Sequence, residues 1–345
     1  MKRRTIDWKR SAAALAVAVP QSRLHPAVLA WAKTSGPRAP WTVAFSGGAD
    51  SLALLLLLWA HWPERRARLN AAHFNHRLRG RAADADERFC ATVCAGLEVK
   101  YVAGAWSEAR HGASEAEARE ARMAFFAKQA RMLWLGHQQD DIAETMLMRL
   151  ARGSGAAGLA APRPVQTIPR GRVHVRPLLT LKKEEIAAAL RAAGIPWRED
   201  ASNARGDFFR NRVRHDVLPA WAAAAQRDAL GGAARARELL EEDDVALEAW
   251  LDALQPEVPN GALAVRDLSG KPRALLRRAL HRWLLAQPRA GELSRQGFDA
   301  LLDAVVRGAP TRHSLGREGF AVIRGGVLRF ERAGKGRRRF QRRAN

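Results

Sequence analysis

The hexapeptide Ser46-Gly47-Gly48-Ala49-Asp50-Ser51 stands directly after the apolar run 42–45 and directly before the apolar run 52–58. Two glycines at a strand-to-helix turn let backbone N–H groups approach an anion, Ser46 and Ser51 offer hydroxyl donors, and a helix N-terminus adds favourable partial charge. Phosphate is the natural guest of such a turn. No Lys is present, so the G-x-x-x-x-G-K-[ST] pattern of the common NTPases is absent. A second polar cluster, Leu135-Gly136-His137-Gln138-Gln139-Asp140-Asp141-Ile142-Ala143-Glu144-Thr145, reads as a strand end that opens a helix. There Asp141 and Glu144 are i, i+3 and Asp140 and Glu144 are i, i+4, so the carboxylates share one face. Like charges that close are costly unless a cation or amine lies between them. Asp140 and Asp141 also suit a first helical turn by charge alone, an explanation that does not extend to His137.

Two further clusters are basic. Arg149-Leu150-Ala151-Arg152-Gly153-Ser154-Gly155 is a helix end running into a Gly-rich loop, suited to contacting phosphate, although Gly153 would equally serve as a helix cap. Glu199-Asp200-Ala201-Ser202-Asn203 is followed by Arg210-Asn211-Arg212-Val213-Arg214 and Leu218-Pro219. That concentrates positive charge where a phosphate backbone could lie, or else forms a solvated basic face.

The elements that position these clusters are short. Runs 41–45, 70–74, 100–103, 132–136 and 173–177 read as buried strands, each too short for a helix. Helical patterns lie between them at 50–62, 82–96, 114–131 and 140–152, with Ser114 as a capping residue. Alternation at this spacing predicts an α/β fold with a parallel, doubly wound sheet, whose ligands sit beyond the C-terminal strand ends. The polar clusters fall at those ends. Residues 1–40 read as an N-terminal helical extension and 41–217 as the α/β domain that carries the candidate catalytic clusters. From 218 the chain is Ala-, Leu- and Arg-rich with heptad-like spacing, broken at Asn260-Gly261 and near Pro288, and predicts a mostly helical C-terminal domain. A small β element ends it, since 320–323 and 327–330 alternate around Gly325-Gly326 as a hairpin does. The domain is expected over 218–332, with a basic tail, 333–345, of disordered character.

The chain has 345 residues with a net charge of +23, and 47% of it is hydrophobic, enough to build cores and to exclude general disorder. Only nine basic residues are Lys, so most of the positive charge is guanidinium, suited to forked phosphate contacts and base stacking. Cys90 and Cys94 share one helix face, form neither a disulfide frame nor a metal quartet, and read as packing in a reducing, cytoplasmic setting. The apolar stretch 11–20 is too short to span a bilayer and is read as an amphipathic helix, and 52–62 ends at Pro63 as a buried one, so no membrane partner is expected. Trp221, Trp250 and Trp283 have helical spacing and are expected in cores rather than stacked on bases.

The hexapeptide resembles the pyrophosphate-binding loop of the N-type ATP pyrophosphatases, or PP-loop family. With the other motifs taken in order, residues 41 to 219 closely resemble the tRNA(Ile)-lysidine synthetase group of that family. The shared features include the His-rich strand end Ala72 to Arg79, the segment Ala118-Arg119-Glu120-Ala121-Arg122, and the H-x-x-D-D-x-x-E-T helix. The R-G-S-G loop, E-D-x-S-N and R-N-R-x-R complete them. Gln138, Ile142 and Met123 depart from the usual pattern, as does the Phe208-Phe209 pair where a Tyr is common. The resemblance implies an N-type ATP pyrophosphatase sheet and a ligase that joins free L-lysine to the wobble cytidine of the CAU-anticodon isoleucine tRNA. The cytidine would first be adenylated by ATP, with AMP and pyrophosphate as products. It implies catalytic roles for Asp50, Asp141, Glu144 and His137, and Mg²⁺ shared by Asp50 and Asp141. It also implies nucleotide binding by Ser46, Gly47, Gly48, Ala49, Asp50 and Ser51. Contacts to substrate, tRNA or phosphate are implied for His76, Arg79, Arg119, Arg122, Arg152, Gly153, Arg210, Asn211 and Arg212. Whether the chain is a monomer or a homodimer is left open.

Two other readings remain. A tRNA thiolase would also adenylate a base, but it needs a catalytic Cys or a cluster-binding C-x-x-C, which Cys90 and Cys94 do not supply. A non-catalytic RNA-binding protein that keeps a nucleotide fold predicts binding without turnover.

Overall fold

The computed structural model describes residues 6–36, 39–77, 80–107, 114–199, 209–287 and 293–333. The chain forms two compact units, residues 1–241 and 242–345.

The first unit opens with α1 (Trp8–Ala18), capped by the Asp7 side chain, and α2 (Pro26–Thr34). A six-stranded sheet follows, made of β1 (Trp41–Ala44), β2 (Leu69–Asn75), β3 (Lys100–Ala105), β4 (Met132–Trp134), β5 (Val165–Ile168) and β6 (Arg172–Val175). Their order is β3-β2-β1-β4-β6-β5. The pairs β2–β3, β1–β2, β1–β4 and β4–β6 are parallel, as the alternation of elements predicts. One edge differs, because β5 runs antiparallel to β6. The Val-Gln-Thr-Ile stretch is only half-buried and carries no continuous apolar run to mark it as a strand.

Connections run from β1 through α3 (Ala49–His61) to β2 on one side, while β4 and its following helix lie on the other. The crevice between the C-terminal ends of β1 and β4 is therefore where the winding reverses, the place where ligands bind in open α/β sheets. The remaining helices of this region are α4 (Arg81–Leu97), α5 (Glu115–Gln129), α6 (Gln139–Leu150), the short α7 (Ala156–Leu159) and α8 (Lys183–Ala192). Ser114 caps α5 in a reciprocal capping box with Glu117. Residues Leu52 to Trp59 of α3 are all buried, so this helix forms the centre of the core. Trp41 and Trp134, from β1 and β4, pack there with ring centroids 4.3 Å apart. None of the described helices is long and apolar enough to cross a membrane.

Trp8, Ala12, Leu15 and Val28 belong to the same buried cluster as α3. Residues 1–40, expected as an extension, thus supply part of the first core. Downstream, α9 (Phe209–Arg212), a π turn (Val213–Val217) and α10 (Leu218–Ala225) follow one another without a break. The long α11 (Ala229–Leu254) comes next. Leu218, Trp221, Leu230 and Ala233 pack with Ala143, Met146 and Leu147 of α6. Helices beyond residue 218 therefore cover α6, and the compact units divide at 241/242, downstream of the change in composition.

The second unit contains α12 (Arg273–Leu285), α13 (Arg295–Arg307) and a five-stranded sheet. Its strands are β7 (Glu257–Val258), β8 (Ala262–Ala264), β9 (Thr311–Ser314), β10 (Gly319–Arg324) and β11 (Val327–Arg332), in the order β7-β8-β11-β10-β9. The hairpin read from 320–330 is the pair β10–β11. Strands β7, β8 and β9 enlarge it, being too short or too polar to announce themselves. Trp283 is core, donating its indole N–H to Gly261 O at 2.9 Å. Trp221 is partly buried, and Trp250 is 44% exposed, unlike the core position expected of it. The basic tail lies almost wholly outside the described residues.

Candidate active site

The Ser46–Ser51 turn follows β1, and α3 starts at Ala49 with Gly48 as its N-cap. Gly47 has φ of +86°, and a Cβ there would stand 3.1 Å from Cys90 Sγ and 3.2 Å from the Phe89 ring. Only glycine fits both the conformation and the space. Ser51 Oγ accepts from Ser46 N at 3.2 Å and donates to Gly48 O at 3.1 Å, which ties the turn to the helix it opens. Ser46 Oγ lies 3.0 Å from Ser51 Oγ and accepts from Gly48 N at 3.3 Å. The loop is thus a self-bonded cradle at the N-terminus of a thirteen-residue helix. From outside, the Arg198 peptide N–H donates to Gly47 O at 3.0 Å.

Across the crevice, β4 ends and Gly136 presses on the loop. A Cβ at Gly136 would lie 3.0 Å from the Asp50 carbonyl carbon and oxygen. Gln138 then caps α6, its Oε1 accepting from Asp140 N at 2.5 Å, while Gln138 N donates to Asp141 Oδ2 at 3.0 Å. Gln138, a departure from the pattern of the resemblance, is therefore a helix cap.

Asp50 Oδ1 is buried and meets no hydrogen-bond donor among the described residues. Burial, and then the charge of Asp141, push the Asp50 carboxyl up to about 7, against the pull of Lys183 and Arg214. An orphaned carboxylate oxygen with a second carboxylate close by, beside a loop of peptide N–H groups at a helix start, fits a divalent cation that takes its other ligands from an anion and water. No group of three or more His, Cys, Asp or Glu among the described residues could hold a metal alone.

Asp141 and Glu144 are buried on α6, Glu144 being 1% exposed. Both are met by guanidiniums from the 209–217 segment. Arg210 donates from Nε to Glu144 Oε2 at 2.7 Å and from Nη2 to Asp141 Oδ1 at 2.6 Å. Arg214 donates from Nε to Glu144 Oε1 at 2.6 Å and from Nη2 to Oε2 at 3.0 Å. Like charge on one helix face is resolved here by cations brought from 66 to 70 residues away. The π turn begins between these two arginines, and such turns concentrate at functional sites. A cavity of about 360 Å³ borders this cluster, lined by Asp140, Glu144, Lys183, Arg214, Leu218 and Leu230 among others.

His137 lies in a basic surround. Arg176 Nε donates to its Nδ1 at 3.1 Å, which leaves the proton of the neutral ring on Nε2. Burial, then Arg176, Arg210, Arg119 and Arg122, hold its pKa well below the ordinary value, so the ring is neutral. Arg176 is itself 6% exposed, donates also to Arg163 O and Gln166 Oε1, and is pushed down to about 10 by burial and by Arg119.

The structure thus brings Asp50, Asp141, Glu144, Arg210 and the loop to one crevice, with His137 beside Arg176 and within the field of Arg119 and Arg122. His76 packs edge-on to Phe74 at 4.9 Å and to Trp106 at 6.4 Å. Arg152 is exposed, and Gly153 ends the α6 region with φ of +69°. The Arg212 guanidinium lies 5.9 Å from the centre of the Phe209 ring, and Asn211 occupies the same short helix, α9. Arg79, Phe208 and Asp200 to Asn203 lie outside the described residues. Sequence reasoning left Arg176, Arg198 and Lys183 out of the site, and read Arg214 as part of a basic cluster for phosphate rather than as the partner of Glu144. For Arg176 the signal was its place one residue beyond β6, at the ligand-binding edge of the sheet.

A family model described as the PP-loop domain matches residues 25–221. Among curated proteins, a tRNA(Ile)-lysidine synthase of Geobacter sulfurreducens is 41% identical over 295 residues, covering 80% of this chain and 60% of that one. One of Xanthomonas campestris is 38% identical over 293 residues, covering 81% and 65%. The chain therefore spans less than two thirds of the length of these relatives. Among solved structures, the U34-tRNA thiolase NcsA from Methanococcus maripaludis with its [4Fe-4S] cluster aligns with a TM-score of 0.49 and 16% identity, over 68% of this chain and 78% of that one.

Proposed function

The chain belongs to the PP-loop family, and from that premise we propose that it joins free L-lysine to the wobble cytidine of the CAU-anticodon isoleucine tRNA, forming lysidine. ATP is cleaved to AMP and pyrophosphate. The reading is carried by one observation, the Ser46–Ser51 cradle facing the buried Asp141–Glu144 pair across the β1–β4 crevice. The names of the relatives support the same chemistry.

The mechanism has two displacements. In the first, the cytosine carbonyl oxygen attacks the α-phosphorus of ATP, and the bond to the bridging oxygen breaks. Pyrophosphate departs into the cradle, where Gly47 and Gly48 permit close approach and the α3 N-terminus stabilises the developing charge. Mg²⁺ bound at Asp50, and shared with Asp141, would supply charge neutralisation on the phosphates. In the second displacement the lysine ε-amine attacks the activated ring carbon, and AMP leaves with the oxygen.

That amine must first lose a proton. With a pKa near 10.4, only about one free lysine in 2,500 is nucleophilic at pH 7. A positioned base is worth roughly 10²–10⁴ in rate. Glu144 and Asp141 fill this role, and their guanidinium partners make room for, or share them with, the incoming ammonium. The cavity beside Glu144 supports the assignment, since it offers carboxylates for an ammonium, Lys183 and Arg214 for an α-carboxylate, and Leu218 and Leu230 for an aliphatic stem. Neutral His137 donates from Nε2 rather than carrying charge. The arginine-dominated charge of +23 draws in tRNA, a partner met in the cytoplasm.

The test incubates the whole chain with ATP, Mg²⁺, labelled lysine and an unmodified CAU-anticodon isoleucine tRNA transcript, with methionine tRNA as control. Label in the isoleucine tRNA alone is the expected result. Pyrophosphate without lysine incorporation removes the amino-acid assignment. Binding of tRNA with neither product favours a non-catalytic RNA-binding protein.

A further inference from the structure

A departing pyrophosphate carries several negative charges, yet the Ser46–Ser51 cradle offers only hydroxyls, peptide N–H groups and the partial charge of a helix end. The common NTPase loops place a Lys within the loop for this purpose.

We propose that Arg198 supplies the side-chain cation this loop lacks, its guanidinium holding the outer phosphates of the nucleotide and the pyrophosphate they become. The inference rests on the reading of the site as one that cleaves ATP to pyrophosphate.

Three relations carry it. Arg198 lines both glycines: its N–H donates to Gly47 O at 3.0 Å, its Cγ lies 3.5 Å from where a Gly47 Cβ would be, and its carbonyl oxygen lies 3.8 Å from the same point on Gly48. Among the described residues its guanidinium is anchored at one corner, where Nε donates to Asp86 Oδ1 at 2.6 Å. Asp86 is 5% exposed while the Arg198 side chain is 41% exposed, so a buried carboxylate fixes the stem and the fork stays open. The four Nη hydrogens meet no acceptor among the described residues. The neighbouring guanidiniums are differently employed, Arg210 and Arg214 on Asp141 and Glu144, and Arg176 on His137, Arg163 and Gln166. A planar fork with spare parallel donors is the geometry that grips phosphate at two points.

The measurement is calorimetric titration of the whole chain with inorganic pyrophosphate and, separately, with AMP. Arg198→Gln is expected to weaken pyrophosphate about 10- to 100-fold, while AMP, which lacks the outer phosphates, changes by less than about threefold. Arg198→Lys restores part of the loss, because charge returns without the fork. Arg198→Met keeps the stem against Gly47 and repeats the loss if charge is what matters, and thermal melting establishes that each variant is folded. The backbone bond to Gly47 survives all three changes, so a role confined to holding the loop predicts no selective effect. Pyrophosphate binding within about twofold of the unaltered chain, or equal loss of pyrophosphate and AMP, overturns the proposal. If the variants bind pyrophosphate normally while the unaltered chain forms lysidine, this inference alone fails. If the unaltered chain binds no pyrophosphate, the reading of the site fails with it.

Discussion

The Arg214 guanidinium grips the Glu144 carboxylate at both oxygens, at 2.6 and 3.0 Å, on a side chain that water scarcely reaches. Breaking one side of such a buried pair leaves a desolvated charge uncompensated, which costs roughly 3–5 kcal/mol when no other partner remains. Arg210 also holds Glu144, so Arg214→Ala is expected to cost about 2–3 kcal/mol in urea unfolding. Glu144→Gln combined with Arg214→Ala should cost less than the sum of the single changes, with a coupling of about 1–2 kcal/mol. Additive losses would show that the pair does not act as a unit.

Gly136 and Asp50 meet backbone to backbone, with no room for a methyl group. Gly136→Ala therefore forces β4 and the anion loop apart, at a cost of about 1–3 kcal/mol. The expected signature is a loss of pyrophosphate affinity greater than the loss of thermal stability alone would produce. Unchanged affinity would show that the loop tolerates displacement.

His25 is buried at the start of α2, where its Nδ1 accepts from Ala27 N. Burial, and then Arg237, push its pKa down to about 4, with Glu238 opposing. Its folded pKa lies below its unfolded one, so the unfolded chain binds the extra proton first as pH falls. Stability is fully present above about pH 6.5 and is lost between about 6.5 and 4, by roughly 1–3 kcal/mol. His25→Asn keeps a capping oxygen and should flatten this limb of a urea-midpoint profile against pH. An unchanged slope would assign the limb elsewhere, to His174, lowered to about 4, or to His137, lowered well below its ordinary value.

In the second unit, Trp283 is buried and bonded to Gly261 O, whereas Trp250 is half in solvent. Trp283→Ala is expected to lower stability by about 3–5 kcal/mol and Trp250→Ala by less than about 1 kcal/mol. Differential scanning calorimetry of the two variants checks the contrast, and comparable losses would contradict it.

Much of the first sheet could be read from the sequence because its central strands are largely buried and so are mostly apolar, Val43 to Phe45 being the plainest run. The antiparallel edge Val165–Ile168 could not, because a half-covered strand carries no such run. The anion loop was legible since its chemistry is local, with glycines, hydroxyls and a helix start all within six residues. The environment of Asp141 and Glu144 was not. Spacing on α6 shows that a cation is required, but its source, Arg210 and Arg214, is fixed by how helices 209–225 fold back onto α6 through Leu218 and Trp221. Arg198 escaped notice for the same reason, as its link to Gly47 spans a long stretch of chain and uses its backbone.

Cys90 lies directly beneath the loop, 3.1 Å from the point a Gly47 Cβ would occupy and 3.5 Å from His73 Nδ1, and it is inaccessible to solvent. Burial raises its pKa, and Cys94 one turn away is pushed up to about 12, so neither thiol presents a reactive thiolate at neutral pH. A thiol reagent reaches Cys90 only when the floor of the cradle opens. The protein therefore carries an internal reporter of its own breathing, one in which the rate of alkylation counts how often the loop lifts from the helix beneath it, and an anion bound there would register as protection.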